Sequence, residues 1–232
     1  MDETASSATT RRRVLAGLPV LATGALSGCP LGGSGDPTET PTPEIPTQRS
    51  LAADFDDGTM GPMESHREVG ETPQVVESLD EEGHVLELAT VEGRTCAVRS
   101  SPAVTGELTA SVQVRRQRGA PDETTVALRL VDRRSGETVG AVVEGGMQNL
   151  VRTWPDSGRT TSTGSSETLD TWTELSVTIR SDEVAINGGE IRSEGVDGFD
   201  ERALTVKLSV TAAESAESLP IVWFDDFDVS PG

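Results

Sequence analysis

The sequence predicts an all-β domain in which two antiparallel sheets pack face to face as a sandwich. From residue 49 onward, apolar and polar residues alternate in short runs, which is the pattern of strands with one buried face. Gly, Pro, Asp and Ser bound these runs, and no long 3.6-residue periodicity indicates a helix. Many short strands at regular spacing are typical of a two-layer antiparallel fold. No internal repeat is evident, so residues 49–232 are predicted to form one domain.

Eleven runs are predicted to be strands. Two turn signals join neighbouring runs: Arg133-Arg134-Ser135-Gly136 is typical of a hairpin loop, and Asn187-Gly188 accepts the positive φ of a tight turn. The predicted strands cover residues 51–56, 84–90, 95–100, 108–115, 124–132, 137–144, 148–154, 172–180, 183–187, 203–211 and 220–229.

Residues 1–28 are predicted to be a twin-arginine signal peptide. The segment Thr10-Arg11-Arg12-Arg13-Val14-Leu15 matches the export pattern, with Arg11 and Arg12 as the two arginines. Residues 16–25 are apolar but fall short of the ~20 residues of a membrane span, so they indicate a signal core. Leu26-Ser27-Gly28-Cys29 resembles a lipobox, in which Cys29 is lipidated and the chain is cut before it. We therefore expect an exported protein, anchored by lipid to the outer face of the cytoplasmic membrane.

Residues 29–48 are predicted to be a disordered tether between the anchor and the domain. Gly and Ser at residues 32–35 favour flexibility, and the Pro- and Thr-rich run that follows favours extended polyproline II. Neither stretch carries the apolar residues that a core needs.

The charge of the chain restricts its partners and its solvent. It has 39 acidic and 19 basic residues, for a net charge of −20, and Lys207 is its one lysine. So acidic a chain repels nucleic acids, and no nucleic-acid partner is expected. An acidic, lysine-poor, Thr-rich composition resembles that of halophilic archaeal proteins. Molar salt shortens the range of repulsion between surface carboxylates to ~3 Å, so we expect the stability of the domain to rise with salt.

The single cysteine of the domain is interpreted as structural. With Cys29 lipidated, Cys96 has no disulfide partner, and no histidine lies near it in sequence to activate its thiol. Cys96 is therefore expected to be a small buried hydrophobic residue. His66 and His84 are far apart and are interpreted as solvated or hydrogen-bonded rather than as metal ligands.

Short motifs along the domain resemble the concanavalin A-like lectin/glucanase superfamily, which includes laminin-G-like domains. The resemblance implies a jelly-roll sandwich whose first and last strands are neighbours in one sheet. The motifs are Phe55-Asp56-Asp57-Gly58, Gly83-His84-Val85-Leu86-Glu87-Leu88, Trp172-x-x-Leu175-x-Val177-x-Ile179, Val184-x-Ile186-Asn187-Gly188 and Trp223-Phe224-Asp225-Asp226-Phe227-x-Val229.

The glucanases of this superfamily carry a strand with a Glu-x-Asp-x-x-Glu motif, and no strand here reproduces it. The nearest sequence, Glu77-Ser78-Leu79-Asp80-Glu81-Glu82, separates its acids by an apolar pair and runs into Gly83, which indicates a turn. No phosphate-binding loop, zinc-protease motif or cysteine pair is present either. No catalytic residue is therefore predicted.

A sugar site is predicted beside Trp154. This residue lies at the end of a predicted strand, with Arg152 and Asp156 nearby, and an aromatic face beside polar side chains suits a sugar ring. The alternative is a tryptophan that covers a sheet edge.

A calcium site is the other local hypothesis. Calcium takes six to eight oxygen ligands, and pairing of the first and last strands would bring aspartates from both close together. Alternation along the last strand leaves Asp225 pointing inward, where it would need a calcium ion, an arginine or backbone N–H groups as a partner. The candidate ligands are Asp54, Asp56, Asp57, Asp225 and Asp226.

The sequence thus predicts a cell-surface, lipid-anchored, non-catalytic binding domain for glycans or glycoproteins. Two alternatives stay open. One is a structural or assembly domain that contacts another envelope protein, and the other is a diverged glycan hydrolase or lyase.

Overall fold

The computed structural model of the chain describes residues 45–66, 71–79, 83–154, 158–187, 191–194 and 198–232. The predicted export motif with Arg11 and Arg12, the lipidation residue Cys29, most of the predicted tether, and Asp156 lie outside the described residues. Residues 43–232 form one compact unit. Within the described ranges, the structure holds no helix with the length and hydrophobicity that crossing a bilayer requires.

Strands are the main secondary structure of the described part of the chain, and all eleven predicted strands are present. They are β1 (Thr47–Gln48), β2 (Leu51–Ala53), β3 (Met63–His66), β4 (Gln74–Glu77), β5 (His84–Ala89), β6 (Thr95–Ser100), β7 (Ala103–Val104), β8 (Leu108–Arg118), β9 (Thr124–Asp132), β10 (Thr138–Glu144), β11 (Met147–Trp154), β12 (Gly158–Ser166), β13 (Thr173–Ile179), β14 (Glu183–Ile186), β15 (Ile191–Glu194), β16 (Leu204–Ala212) and β17 (Ile221–Pro231).

The strands form two sheets. The nine-stranded sheet, called sheet A, has the order β1-β7-β16-β9-β10-β11-β12, with β6 also on β16 and β3 on β6. The eight-stranded sheet, called sheet B, has the order β15-β14-β13-β8-β17-β5-β4, with β2 on β17. All described strand pairs are antiparallel except β1 with β7, which places β1 in the sandwich although its residues were assigned to the tether. The prediction of an antiparallel two-sheet sandwich is confirmed.

The core lies between the sheets and is built by strict alternation along the strands. In β9 of sheet A, Val126, Leu128 and Leu130 are buried in the core cluster, while Arg129 and Val131, which alternate with them, face outward. In sheet B, Leu175 and Val177 of β13 are buried in the same cluster. Each such side chain contributes roughly 1.5–3 kcal/mol by leaving water, so the core fixes which face of each strand is free for a ligand.

The first and last of the predicted strands, β2 and β17, are neighbours in sheet B, and the short strand β1, which was not predicted, precedes them in the chain and lies in sheet A. Leu51 and Ala53 of β2 lie opposite Val229 and Phe227 of β17. Phe55, two residues after the end of β2, is buried in the core and has a positive φ of 59°, which does not fit a continuing strand.

The expectation that Asp225 points into the core is wrong, because β17 contains a β-bulge. Its pairing with β8 shifts register between Asp225 and Asp228, and Asp226 has a φ of 47°. The extra residue resets the alternation, so Phe224 and Phe227 both reach the core. Asp225 is half-buried and its Oδ1 accepts a hydrogen bond from the N–H of Asp226 (2.8 Å).

Candidate functional site

An open groove of about 810 Å³ lies on the outer face of sheet A. Its floor consists of the outward-facing residues of β3, β6, β16, β9, β10 and β11, so antiparallel pairing brings together residues that are far apart in sequence. Its described lining is Ile45, Glu64, His66, Arg99, Ser101, Arg129, Val131, Asp132, Arg133, Gly136, Thr138, Thr153, Thr205 and Lys207.

Three cationic residues stand side by side in one row across this floor. Arg99 of β6 pairs with Lys207 of β16, and Lys207 pairs with Arg129 of β9. Directly paired residues lie on the same face of a sheet, and neighbouring strands are ~4.8 Å apart. The row therefore carries three cationic side chains over about 10 Å of sheet width.

The row continues on both sides. Glu64 of β3 lies opposite Arg99, and its Oε1 accepts a hydrogen bond from Nε of Arg99 at 3.0 Å. On the other side, Gly140 of β10 lies opposite Arg129. A Cβ at Gly140 would meet the Leu128 carbonyl oxygen and would lie only 2.8 Å from Cγ of Arg129. The missing side chain thus gives Arg129 room to lie across β10.

Arg133 adds a fourth cation at the end of the groove where the β9–β10 hairpin turns. Its Nε donates to Oγ1 of Thr205 (2.7 Å), and its Nη2 donates to the carbonyl oxygens of Ser100 and Ser101. These partners are all neutral. They orient the guanidinium, and because they bring no opposing charge, its positive charge remains available to a ligand.

The two carboxylates in the described lining are not placed for glycoside hydrolysis. Glu64 on β3 and Asp132 on β9 are separated by β6 and β16, which puts their backbones about 14 Å apart or more. Paired glycosidase carboxyls are only about 5–9.5 Å apart. The Asp132 carboxylate is also used by the hairpin, because it accepts hydrogen bonds from the Arg134 N–H (2.8 Å) and the Ser135 hydroxyl (2.6 Å).

Asp132 is held in its ionised form. Burial by itself raises the pKa of this carboxyl. The hydrogen bonds from Ser135 and Arg134 and the charge of Arg202 outweigh burial, and together they hold the pKa of Asp132 below its usual value. The residue is therefore a structural anion of the turn.

The predicted sugar-binding residues Trp154 and Arg152 do not line the groove. Thr153 lines it, and side chains alternate along β11, so Trp154 and Arg152 lie on the opposite face of that strand. Arg152 lies over the Trp154 ring at 4.5 Å from its centroid and donates from Nε to Glu137 Oε1 (2.6 Å). Binding of a sugar by this pair stays a prediction, and Asp156 lies outside the described residues.

Glu137 ties Arg152 into a buried ion network behind the groove. Arg202 donates to Oε2 of Glu137 at 2.6 Å and lies 3.5 Å from Oδ2 of Asp132. The guanidinium of Arg202 also lies over the ring of Phe199, at 4.6 Å. Because Glu137 and Asp132 are nearly inaccessible to water, the network fixes the end of the sandwich from which Arg133 reaches the groove.

The predicted calcium ligands divide into two groups. Asp54 and Asp226 border a shallow depression between β2 and β17, together with Asp228. Asp56 and Asp57 lie in the loop after β2, and their carboxylates are already engaged: Oδ1 of Asp56 accepts from the N–H of His84 on β5 (3.2 Å). The hydroxyl and the N–H of Thr59 donate to Asp57, and these hydrogen bonds lower the pKa of Asp57. Asp225 belongs to neither group and lies on β17, as described above.

In the described ranges, no three His, Cys, Asp or Glu side chains are grouped so as to hold a metal ion. The five aspartates therefore do not form one cluster, and calcium binding stays a prediction.

Cys96 is buried in the core between the sheets. Its Sγ donates to the carbonyl oxygen of Glu71 at 3.1 Å, and burial raises the pKa of the thiol to about 11. A protonated, inaccessible thiol is not a nucleophile, which agrees with the structural role expected from the sequence.

The groove residues that the sequence analysis missed share one signal. Arg99, Arg129 and Lys207 are each a charged residue within an otherwise apolar run that was predicted to be a strand. His66 lies on β3, which is not among the predicted strands, and it lines the groove. The pattern marks an outward-facing charge on each strand, and only the order of strands in the sheet brings these charges together.

No family model matches the chain, and no curated protein is similar to it in sequence. Solved structures share its fold. They include a structure reported for endo-acting O-glycanases of the human gut microbiota that initiate mucin breakdown, with a TM-score of 0.59, 12% identity, and coverage of 78% of this chain and 98% of the other.

A β-glucanase of Bacillus licheniformis aligns with a TM-score of 0.58 at 6% identity, over 80% of this chain and 100% of its own. The Crh5 transglycosylase in complex with NAG aligns with a TM-score of 0.57 at 14% identity, over 81% and 86% of the two chains. At such low identities the likeness establishes the fold, which is the jelly-roll β-sandwich that the concanavalin A-like resemblance implied.

Proposed function

We propose that this chain is an exported lipoprotein whose sandwich binds glycans at the cell surface without cleaving them. The observation that carries the proposal is the open groove on sheet A, whose lining includes hydrogen-bonding side chains from β3, β6, β16, β9, β10 and β11. The similar structures support a glycan as the ligand, because they include those of a glycanase, a glucanase and a transglycosylase.

A non-catalytic role is favoured by the composition of the groove. Its described lining holds two carboxylates, Glu64 and Asp132, which are too far apart for a hydrolase pair. The Asp132 carboxylate also accepts hydrogen bonds from its own hairpin turn and is therefore not available as a catalytic group. Binding without hydrolysis requires only groups that hydrogen-bond to a sugar chain, and Thr138 of β10, Thr153 of β11 and Thr205 of β16 supply them.

The alternative of an assembly domain has less support. Protein interfaces need a contiguous apolar core. In the part of the chain that the structure describes, the exposed large hydrophobic residues are Leu79 and Val91, which are single residues rather than a patch.

Blocking the groove tests the proposal. The variant Thr153→Trp places a large side chain in the groove, whereas Thr171→Trp makes the same change at an exposed position before β13 of sheet B. Both variants and the unmodified protein would be applied to a glycan array in molar KCl. We expect Thr153→Trp to lose the signals of the unmodified protein and Thr171→Trp to keep them.

The same samples would be incubated with bound glycans and assayed for new reducing ends and for the ultraviolet absorbance of unsaturated uronates. Equal array signals from all three proteins would refute binding in the groove. Shortened glycans would refute its non-catalytic character.

Membrane anchoring has its own test. Cys29→Ser should move the protein from the membrane fraction to the medium, and retention on the membrane would contradict lipidation at Cys29.

A further inference from the structure

We infer that residues 45–48, called the gate, close one end of the groove, and that a glycan too long for the closed groove displaces them. The gate consists of Ile45, Pro46 and the two residues of β1. This inference rests on the proposed function and concerns the regulation of the same site. The observation that carries it is a second cavity that shares Ile45 with the groove.

The second cavity has a volume of about 320 Å³ and lies next to the groove. Ile45 and Asp132 line both spaces, so these two residues separate them. Asp132 is fixed, because its carboxylate is held by the hydrogen bonds of the hairpin turn and by the charge of Arg202. Ile45 is therefore the movable side of the partition.

The gate is held more weakly than the rest of sheet A. Both residues of β1 are exposed, and β1 pairs with β7, which is also only two residues long. The carbonyl oxygen of Gln48 accepts a long hydrogen bond, 3.3 Å, from the N–H of Thr105. Among the described residues, the core cluster begins at Leu51, after the gate. A segment with few buried contacts and exposed hydrogen bonds opens locally without unfolding of the domain.

Ile45 supplies the side chain that docks the gate. It is the one large apolar residue between Leu31 and Leu51 in the sequence, and it is partly buried where it borders the groove. Pro46 after it keeps the backbone extended but offers no N–H group to a neighbouring strand. One apolar contact and a two-residue strand therefore hold a segment that can dock and can be released.

Release of the gate joins the second cavity to the groove. Arg134 and Glu201, both exposed, border this cavity and can hydrogen-bond to sugar hydroxyl groups. A short glycan fits the groove with Ile45 in place, whereas a longer chain needs the space that Ile45 fills. Binding of a long glycan and docking of the gate therefore exclude each other, and each weakens the other by the same factor.

A reversible cross-link tests the gate. Thr47 and Ala103 are directly paired on neighbouring strands, so their Cα atoms are about 4.8 Å apart, within the roughly 4.4–6.8 Å that a disulfide spans. The double variant Thr47→Cys/Ala103→Cys would be made in the full chain with Cys29→Ser. Oxidation locks its gate and dithiothreitol releases it, so the reduced form is the matched control. Cys96 is buried and does not take part.

Cleavage by trypsin after Arg49 measures opening of the gate without any glycan. Arg49 lies between β1 and β2, and a protease needs several extended residues around the bond, which include those of the gate. In molar KCl, we expect the oxidised form to be cleaved at Arg49 at least about tenfold more slowly than the reduced form. Equal rates would show that the gate does not open, and they would overturn the inference whether or not a glycan binds.

Fragments of graded length test the coupling to the ligand. They would be prepared by partial hydrolysis of the glycan with the strongest array signal, and titration calorimetry in molar KCl would measure their affinities. We expect the shortest fragments that bind to have equal affinity for the oxidised and reduced forms. The longest should bind the oxidised form about tenfold more weakly, because hydrogen bonds in the second cavity are lost. Saturation of the unmodified protein with long fragments should also accelerate cleavage at Arg49 severalfold.

A second pair of variants isolates the contribution of Ile45. Ile45→Ser removes the apolar contact, so it should accelerate cleavage at Arg49 and raise the affinity for long fragments severalfold. Leu31→Ser makes the same change elsewhere in the predicted tether, and it should alter neither quantity. Equal effects of the two substitutions would contradict the role assigned to Ile45.

The outcomes separate this inference from the proposed function. If the oxidised form binds long fragments as tightly as the reduced form, displacement of the gate is overturned and glycan binding remains intact. An array on which no glycan is bound removes the proposed function and overturns displacement by a glycan with it. The cleavage rates then show separately whether the gate opens.

Discussion

Deleting Asp226 should destabilise the sandwich severely, although the residue is exposed. Asp226 is the extra residue of the bulge in β17 and has a φ of 47°. It shifts the alternation of the strand by one position, which allows Phe224 before it and Phe227 after it to reach the same core. Without it, the end of β17 must either turn Phe227 and Val229 outward or slip by one residue against β2 and β8.

The magnitude follows from the two side chains that would leave the core. Phe227 and Val229 are 1% and 0% exposed, and burying such side chains fully contributes roughly 1.5–3 kcal/mol each. The deletion should thus cost about 3–6 kcal/mol, and turning Asp228 inward would add the cost of burying a charge. A domain of this size is stable by only about 5–15 kcal/mol, so most of the folded population is at risk.

Urea unfolding in molar KCl, followed by tryptophan fluorescence, would measure the effect. The matched control is Asp226→Gly, which keeps the chain length and accepts a positive φ, so its stability should change by no more than about 1 kcal/mol. An unfolding midpoint of the deletion equal to that of the control would refute the role assigned to the bulge.

Three further predictions concern the groove and the core. Gly140→Ala should cost about 3 kcal/mol in thermal unfolding, because its Cβ would lie 2.2 Å from the Leu128 carbonyl oxygen and 2.8 Å from Cα and Cγ of Arg129, so that β9 and β10 must shift apart. The shift moves Arg129 and should also weaken glycan binding in the groove, and an unchanged affinity would contradict this packing. The pKa of Asp132 lies below its usual 3.8, so the stabilisation that its carboxylate provides is present above that pH and is lost as the pH falls below it. The free energy of unfolding of Asp132→Asn should therefore depend less on pH in that range. An acid-unfolding profile identical to that of the unmodified protein would count against this role of Asp132. With a pKa of about 11, Cys96 should resist alkylation in the native protein at neutral pH and react once unfolded, as peptide mass spectrometry would detect; rapid native labelling would contradict its burial.

The strands that the sequence predicted and those that it missed differ in physical character. The predicted ones have apolar residues in alternation, as in β9 and β16, and their burial is what the pattern records. β12 is missed because Gly158–Ser166 contains no large apolar residue and is largely exposed. Its place is set by backbone pairing with β11, which leaves no trace in hydrophobicity.

The error at Asp225 and the omission of the groove have related causes. Alternation holds only while a strand is regular, and nothing in Phe224-Asp225-Asp226-Phe227 indicates a bulge at that position without knowledge of the partner strand. The cations Arg99, Arg129 and Lys207 were each visible as charges within apolar strands. Their grouping depends on the order β6-β16-β9, in which Lys207 lies beside Arg129 and Arg99, about 80 and about 110 residues away in sequence, and local patterns do not encode that order.

The rate at which Lys207 is acetylated, with and without glycan, tests the central claim most directly. Because the chain has one lysine, an amine-reactive reagent reports on the centre of the groove, and a short lysine peptide added to the sample serves as a reference for the reagent. A saturating concentration of the glycan with the strongest array signal should slow acetylation of Lys207 severalfold and leave the reference rate unchanged. An unchanged rate at Lys207 under saturation would show that the glycan binds elsewhere and would contradict the assignment of the groove.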